Sequence, residues 1–262
     1  MKKRLTFLLF AFLLCFTGLH AQNLENYQRG EYLRRNDTIP YRILWPRNFD
    51  PKKKYPLVFV LHGRGESGSD NEKQLTHGAR LFLRDDVRKK YPAIVIFPQC
   101  SQNSYWSNVA ITTNAKGKRS FSFQQDGKPT GAMRGLLGLV KQFTRKPYVA
   151  RKQVYVGGLS MGGMGTYELL RRKRHTFAAA FAICGGDNTR NAERYKHVPL
   201  WIFHGAKDDI VDPAYSIAIA DRLKALNAEV KFTLYPQANH GSWEPAFAEP
   251  NLLLWLFSHT KP

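Results

Sequence analysis

Acidic residues are scarce in this chain: 20 Asp and Glu stand against 40 Lys and Arg, for a formal net charge of +20 at pH 7. Such a balance bears on attraction to anionic surfaces, not on fold. The basic residues are spread along the chain (Lys52-Lys53-Lys54, Arg88-Lys89-Lys90, Arg171-Arg172-Lys173-Arg174), and no nucleic-acid-binding module accompanies them. A solvated basic surface is therefore favoured over a nucleic-acid partner. Cysteine is rarer still, with three in 262 residues. Cys15 falls in an N-terminal apolar stretch, and Cys100 and Cys184 each close a separate apolar run. A disulfide needs Cα atoms within ~7 Å, and adjacent strands lie ~4.8 Å apart. The two runs are not expected to be neighbours, so two buried free thiols are anticipated. No set of His and Cys residues has metal-ligand spacing, which argues against a metal centre, and no organic cofactor is implied. After the N-terminal stretch no apolar run reaches the ~20 residues that a membrane span requires. No low-complexity linker or internal repeat divides the chain.

The N-terminus carries Lys2-Lys3-Arg4, an apolar stretch from Leu5 to about Leu19, and a small-residue cleavage site after Ala21. That is the pattern of a cleavable secretory signal. It implies a signal peptide over residues 1–21 and a secreted or periplasmic protein whose residues 22–262 form one domain. Leu13 and Leu14 precede Cys15 where a lipid-attachment site wants small residues, which disfavours a lipoprotein.

Tyr27 to Arg35 and Thr38 to Trp45 read as two strands joined by Asn36-Asp37, an N-terminal antiparallel hairpin. Tyr55-Pro-Leu-Val-Phe-Val-Leu61 is apolar throughout and suits a central strand covered on both faces. Asn71 to Lys90 reads as helical, Ala93 to Phe97 as a buried strand, and Gly131 to Lys146 as an amphipathic helix. Ser101 to Thr130 is polar and aromatic without a sustained period; within it, Arg119 to Gln125 with Asp126-Gly127 could form a small flap. Further strands at Gln153–Gly157, Phe177–Ile183, Pro199–Phe203 and Val230–Leu234 alternate with helical segments near 164–171, 214–226 and 251–258. Strands and helices alternating in this way imply an α/β class with a mostly parallel central sheet and helices on both faces.

Gly158-Leu159-Ser160-Met161-Gly162-Gly163 follows one of these strands and opens a helix. A serine between glycines on a strand-to-helix turn is the pattern of a nucleophile elbow, in which the flanking positions have no room for a side chain. An activated serine needs a base, the base needs an orienting carboxylate, and the developing oxyanion needs donors. Downstream, two strand ends run into His204-Gly-Ala-Lys-Asp208-Asp209 and Tyr235-Pro-Gln-Ala-Asn-His240-Gly241. Asp208 is assigned as the acid and His240 as the base. His204 is expected to make a structural hydrogen bond, and Asp209 to face solvent or cap the next helix. The loop His62-Gly63-Arg64-Gly65-Glu66-Ser67-Gly68 is expected to supply the second oxyanion donor, which gives the N–H groups of Arg64 and Met161 that role. The same loop matches G-x-G-x-x-G. The acidic residue a dinucleotide site requires should end a second strand, whereas Asp85 and Asp86 fall in a helical stretch.

Together, Leu61-His-Gly-Arg-Gly-Glu-Ser-Gly-Ser-Asp-Asn71, Phe97-Pro-Gln-Cys100, Gly158-Leu-Ser-Met-Gly-Gly163, Ile183-Cys-Gly-Gly-Asp187 and His204-Gly-Ala-Lys-Asp208 resemble the esterase-like α/β-hydrolases of the "predicted peptidase" group. These are relatives of dienelactone hydrolase, of carboxylesterases and phospholipases, and of feruloyl and acetylxylan esterases. The resemblance covers nearly all of the chain after the leader. It implies an α/β-hydrolase fold, Ser160, Asp208 and His240 as the catalytic residues, and a small-molecule or polysaccharide ester as substrate. Trp106 resembles a pocket-wall aromatic, with a packed loop anchor as the alternative. Arg64 is bulkier than the residue usual there, and Gly241 stands where relatives often carry an acid. The leading expectation is an exported serine hydrolase of carboxylic esters. The alternatives are a serine peptidase of the same fold, disfavoured because such peptidases usually carry an access-restricting extra domain, and a non-catalytic carbohydrate- or surface-binding protein.

Overall fold

Water reaches almost none of the stretch Tyr55–Leu61, because the strand it forms lies inside a sheet covered on both faces. The computed structural model of the chain describes residues 23–34 and 37–262. The expected leader with Cys15, and Asn36 of the expected hairpin turn, lie outside the described residues.

The strands are β1 (Gln28–Arg34), β2 (Asp37–Leu44), β3 (Tyr55–Leu61), β4 (Ile94–Pro98), β5 (Val109–Thr113), β6 (Arg119–Phe123), β7 (Val149–Leu159), β8 (Ala179–Ile183), β9 (Leu200–Gly205) and β10 (Val230–Tyr235). Eight of them form one sheet in the order β1-β2-β4-β3-β7-β8-β9-β10, and β5 pairs only with β6. From β4 to β10 the pairs are parallel. The β1–β2 hairpin closes one edge, with β2 antiparallel to β4. The helices are α1 (Ala79–Leu83), α2 (Asp85–Lys90), α3 (Gly131–Thr144), α4 (Met161–Arg172), α5 (Ala214–Ala225), α6 (Trp243–Phe247) and α7 (Leu252–Ser258).

Alternation along β3 divides the core in two. Leu57, Phe59 and Leu61 pack with α3, α4 and α5, while Val58 and Val60 pack on the opposite face with α1, α2, α6 and α7. Each fully buried side chain of this size contributes ~1.5–3 kcal/mol relative to exposure, so a strand apolar on both faces anchors the sheet. Parallel pairing brings the C-terminal ends of these strands to one edge, where ligands bind in open α/β sheets.

Two expectations need correction. Asn71 to Lys90 is not one helix but a 3₁₀ turn, Lys73–Leu75, followed by α1 and α2. Gly78 interrupts it at φ +79°, with the Phe247 ring where a Cβ would stand, and Arg84 is extended with ψ 137° between α1 and α2. The flap is also placed differently. Its partner strand is the preceding β5, and the turn is Asn114 to Gly117, where Asn114 Oδ1 accepts from the Lys116 and Lys118 N–H groups. Asp126-Gly127 lies beyond the hairpin. The cysteines fall as expected: Cys100 follows β4 and Cys184 follows β8, on strands that are not neighbours in the sheet, both buried and unbonded.

Candidate active site

The elbow joins β7 to α4. Ser160 adopts φ 52° and ψ −117°, a left-handed backbone that a side chain rarely tolerates, and its N–H donates to Ile183 O at 2.8 Å. The flanking glycines are required by contact. A Cβ on Gly158 would lie 2.5 Å from Gly162 O, and one on Gly162 would lie 2.0 Å from Leu61 O. Backbone cannot move aside as a flexible side chain can, so these positions hold the turn shut.

His240 follows β10, and its Nε2 lies 3.0 Å from Ser160 Oγ. Its Nδ1 lies 2.8 Å from Asp208 Oδ2. With Nδ1–H donating to the carboxylate, Nε2 is left to accept from the serine hydroxyl. Asp208 follows β9 and is saturated with donors: the Ile210 and Val211 N–H groups bond Oδ1, each at 2.9 Å, and His204 Nε2 bonds Oδ2 at 3.1 Å. Burial alone would raise the Asp208 pKa, but the bonds from His204, His240 and Val211 overcome it and hold the carboxyl well below the usual carboxylate range.

His204 therefore has more than the isolated structural bond expected of it. Its Nε2 faces two acceptors, Asp208 Oδ2 and Val211 O at 2.9 Å, so that nitrogen carries a proton; Nδ1 lies 2.7 Å from Ser216 Oγ. This second histidine braces the carboxylate through Oδ2, the same oxygen that His240 contacts. Asp209 is exposed and Asp208 buried. Asp209 does not cap the following helix, α5; Asp212 Oδ1, in the turn before it, accepts from Ala214 N–H.

Arg64 begins a 3₁₀ turn, Arg64–Glu66, and Met161 is the first residue of α4. The first N–H groups of a helix have no partner within it and carry the positive end of its dipole. The Arg64 guanidinium points elsewhere, to Ser104 O at 2.9 Å and Gln102 O at 2.5 Å, so its bulk ties down the 101–105 loop. His62 braces the same loop. Its Nε2 accepts from Cys100 N–H at 2.9 Å, and burial pulls its pKa down to about 4.

Ser160 and His240 open into a cleft of about 530 Å³ whose walls include Arg64, Tyr105, Arg119, Phe121 and Trp243. Trp106 is not part of the wall. It is fully buried, packed edge-on to His62 and over Gly165, which makes it the loop anchor; Tyr105, one residue earlier, faces the cleft. Asp187 also misses the cleft. It accepts from Asn191 Nδ2 at 2.9 Å and Tyr195 OH at 3.2 Å, and burial pushes its carboxyl up to about 6.

The β5–β6 hairpin forms the outer wall. Phe121 and Phe123 pack on Tyr215, whose hydroxyl accepts from Phe121 N–H at 3.1 Å, and Phe121 packs with Met164 and Val211. At its base Asn108 N–H donates to Glu168 Oε2 at 2.5 Å. The reading from sequence missed the pairing of β5 with β6 because the exposed strand β5 has no apolar alternation.

The strand order, with the serine turn after β7 and histidine and aspartate after β10 and β9, defines an α/β-hydrolase fold. A family model, the dienelactone hydrolase family, matches residues 103–250, and the chain belongs to that family. It is similar in structure to a thermostable esterase, with a TM-score of 0.80 and 29% identity over 91% of this chain and 64% of that one. A ferulic acid esterase shares the fold, with a TM-score of 0.63 and 16% identity over 88% of this chain and 97% of that one. By sequence the chain is 35% identical to a bifunctional acetylxylan esterase/xylanase of Neocallimastix patriciarum, over 73% of this chain and 24% of that protein. It is 23% identical to a probable dipeptidyl-aminopeptidase B of Aspergillus oryzae, over 84% of this chain and 27% of that protein. The chain spans about a quarter of the length of these curated relatives.

Proposed function

We propose that the protein is an exported serine hydrolase of carboxylic esters, with acetyl or feruloyl esters of polysaccharides as its substrate class. The observation that carries the proposal is the relay from Ser160 Oγ through His240 to Asp208, with contacts of 3.0 and 2.8 Å. Ser160 Oγ attacks the ester carbonyl while His240 Nε2 takes its proton, and Asp208 holds the imidazole in that tautomer. The Arg64 and Met161 N–H groups stabilise the tetrahedral oxyanion. His240 then protonates the departing alcohol, and water, activated by the same nitrogen, releases the acid and restores Ser160. The esterase relatives and the aromatic cleft walls Tyr105, Phe121 and Trp243 support the substrate class. Export rests on the signal pattern in residues 1–21, with 22–262 as the hydrolase domain. Among the described residues no helix is long and apolar enough to cross a membrane.

A fluorophosphonate probe should label Ser160 rapidly, located by mass spectrometry of the digest. A panel of p-nitrophenyl acyl esters, methyl ferulate and acetylated xylan then identifies the acyl group. Labelling elsewhere, or turnover surviving in a Ser160→Ala variant, overturns the proposal. The aminopeptidase relatives favour a second reading, cleavage of peptides by the same serine. Comparing a p-nitrophenyl ester with the p-nitroanilide of an N-terminal dipeptide decides between them; faster turnover of the anilide selects the peptidase.

A further inference from the structure

Cys184, Asp208 and His240 reach one point from the ends of β8, β9 and β10. The Cys184 Sγ, an Asp208 oxygen and a His240 ring nitrogen all lie within 4.8 Å of one another. No spacing in the sequence reveals this trio, because its members belong to three strand ends. We propose that it is an inhibitory site for a thiophilic divalent cation of the zinc type, whose binding takes His240 out of service. This rests on the reading of His240 as the base for Ser160.

Three observations support it. The donors are one sulfur, one imidazole nitrogen and one carboxylate oxygen, a set that suits Zn²⁺. Metal bonds of ~2.0–2.3 Å place tetrahedral donors roughly 3.5 Å apart, so donors as far apart as 4.8 Å close by about 1 Å while the His240–Asp208 pair, at 2.8 Å, opens slightly. His240 is the member with room to shift, since its side chain is 18% exposed while that of Asp208 is fully buried. Next, Ser242 Oγ is buried with no hydrogen-bond partner, two residues along the chain from His240. A buried hydroxyl without a partner, so near one of the three donors, is available to the ligands of a bound cation. The charges also balance. A dication with one thiolate and one carboxylate leaves the buried site neutral.

The protons can be followed. Cys184 releases its proton to solvent as the metal–sulfur bond forms. The cation replaces the proton on His240 Nδ1, and the neutral imidazole carries its single proton on Nε2 instead. Nε2 is then a donor facing Ser160 Oγ and cannot accept the serine proton. Nothing is oxidised or reduced.

Cobalt(II) is the probe, because a cobalt–thiolate bond gives a near-ultraviolet charge-transfer band that needs no turnover to detect. The wild-type protein should show that band. Zinc at ~10 times its dissociation constant should cut hydrolysis of a small neutral ester about tenfold, reversibly with a chelator. Cys184→Ala should keep the metal-free rate and lose both band and inhibition, and Cys184→Ser, which preserves volume, serves if the alanine variant does not fold. Ser160→Ala should hydrolyse nothing yet keep the band, which separates this site from the serine mechanism. Equal zinc inhibition of the Cys184 variant and the wild type overturns the proposal. So does cobalt binding to the wild type without a thiolate band, as ligation by surface histidines such as His175 and His197 would give.

Discussion

The serine turn and the β5–β6 hairpin face each other across one cleft and are built by opposite means. The turn is held by main chain against main chain: glycines at 158 and 162 leave no room for a side chain beside the Leu61 and Gly162 carbonyls. The hairpin pairs only with itself and is pinned to the body by a few side chains, chiefly Tyr215 and Glu168. A backbone-packed element fixes atoms within fractions of an ångström, as acyl transfer requires. A wall held by side chains can change its contacts while the chemistry beneath it stays in place.

Loss of the proposed nucleophile should have the largest effect. Ser160→Ala is expected to lower kcat for p-nitrophenyl acetate by ~10⁴ or more while leaving the melting temperature unchanged. A variant retaining a tenth of the wild-type rate breaks the mechanism.

Asp208→Asn should be nearly as costly, by analogy with the ~10⁴-fold loss for the equivalent change in serine proteases. Asp209→Asn should stay within about twofold, since it removes only an exposed charge. Equal losses in the two variants would refute the assignment of the acid. The Asp208 substitution should also blunt acid unfolding. Because the folded Asp208 carboxyl is held below its ordinary value of ~3.9, its stabilisation is complete above that pH. Below it the unfolded chain takes up the proton first, and the advantage drains away as pH falls toward the folded pKa. Urea titrations at pH 7 and pH 3 should show a smaller drop for Asp208→Asn than for wild type.

The two walls can next be compared directly in stability. Gly162→Ala puts a Cβ against Leu61 O and should cost at least the ~1–3 kcal/mol of an overpacked core, read as a lowered urea midpoint. On the hairpin, a Cβ added at Gly117 would meet nothing within 4 Å, so the only penalty there comes from its φ of +77°. Gly117→Ala should therefore cost less, ~1 kcal/mol. The reverse order would mean that the hairpin, not the turn, is the rigid wall.

A small effect, confined to KM, should come from Tyr215→Phe, which removes the hydroxyl accepting from Phe121 N–H. One lost hydrogen bond is worth ~1 kcal/mol, so KM for a bulky feruloyl ester should rise a few fold with little change in kcat. A fall in kcat alone would place the hairpin in the chemistry.

How much of this was legible in the sequence follows the same division. The buried strands announced themselves as apolar runs, and Gly158-Leu-Ser-Met-Gly162 disclosed the turn because only glycine satisfies its contacts. Asp208 and His240 could be placed because each follows a strand whose order the parallel sheet dictates. Trp106 and Tyr105 could not be told apart, since in an irregular loop no period says which of two adjacent aromatics turns inward. The break at Gly78 depends on the Phe247 ring, far away in the chain, and the saturation of Asp208 by His204 depends on a loop closing back on itself. Contacts of those kinds leave no trace in local spacing.

The placement of the hairpin has an evolutionary consequence. β5 and β6 are inserted between β4 and α3, at the strand ends where substrate would enter, and they share no ladder with the main sheet. Insertions, deletions and swaps in this segment need not disturb the sheet register or the catalytic turn. The fold can act as a socket into which lineages fit different arms, so new substrate ranges can arise by replacing the fifteen residues from Val109 to Phe123 while the proposed catalytic residues are inherited whole.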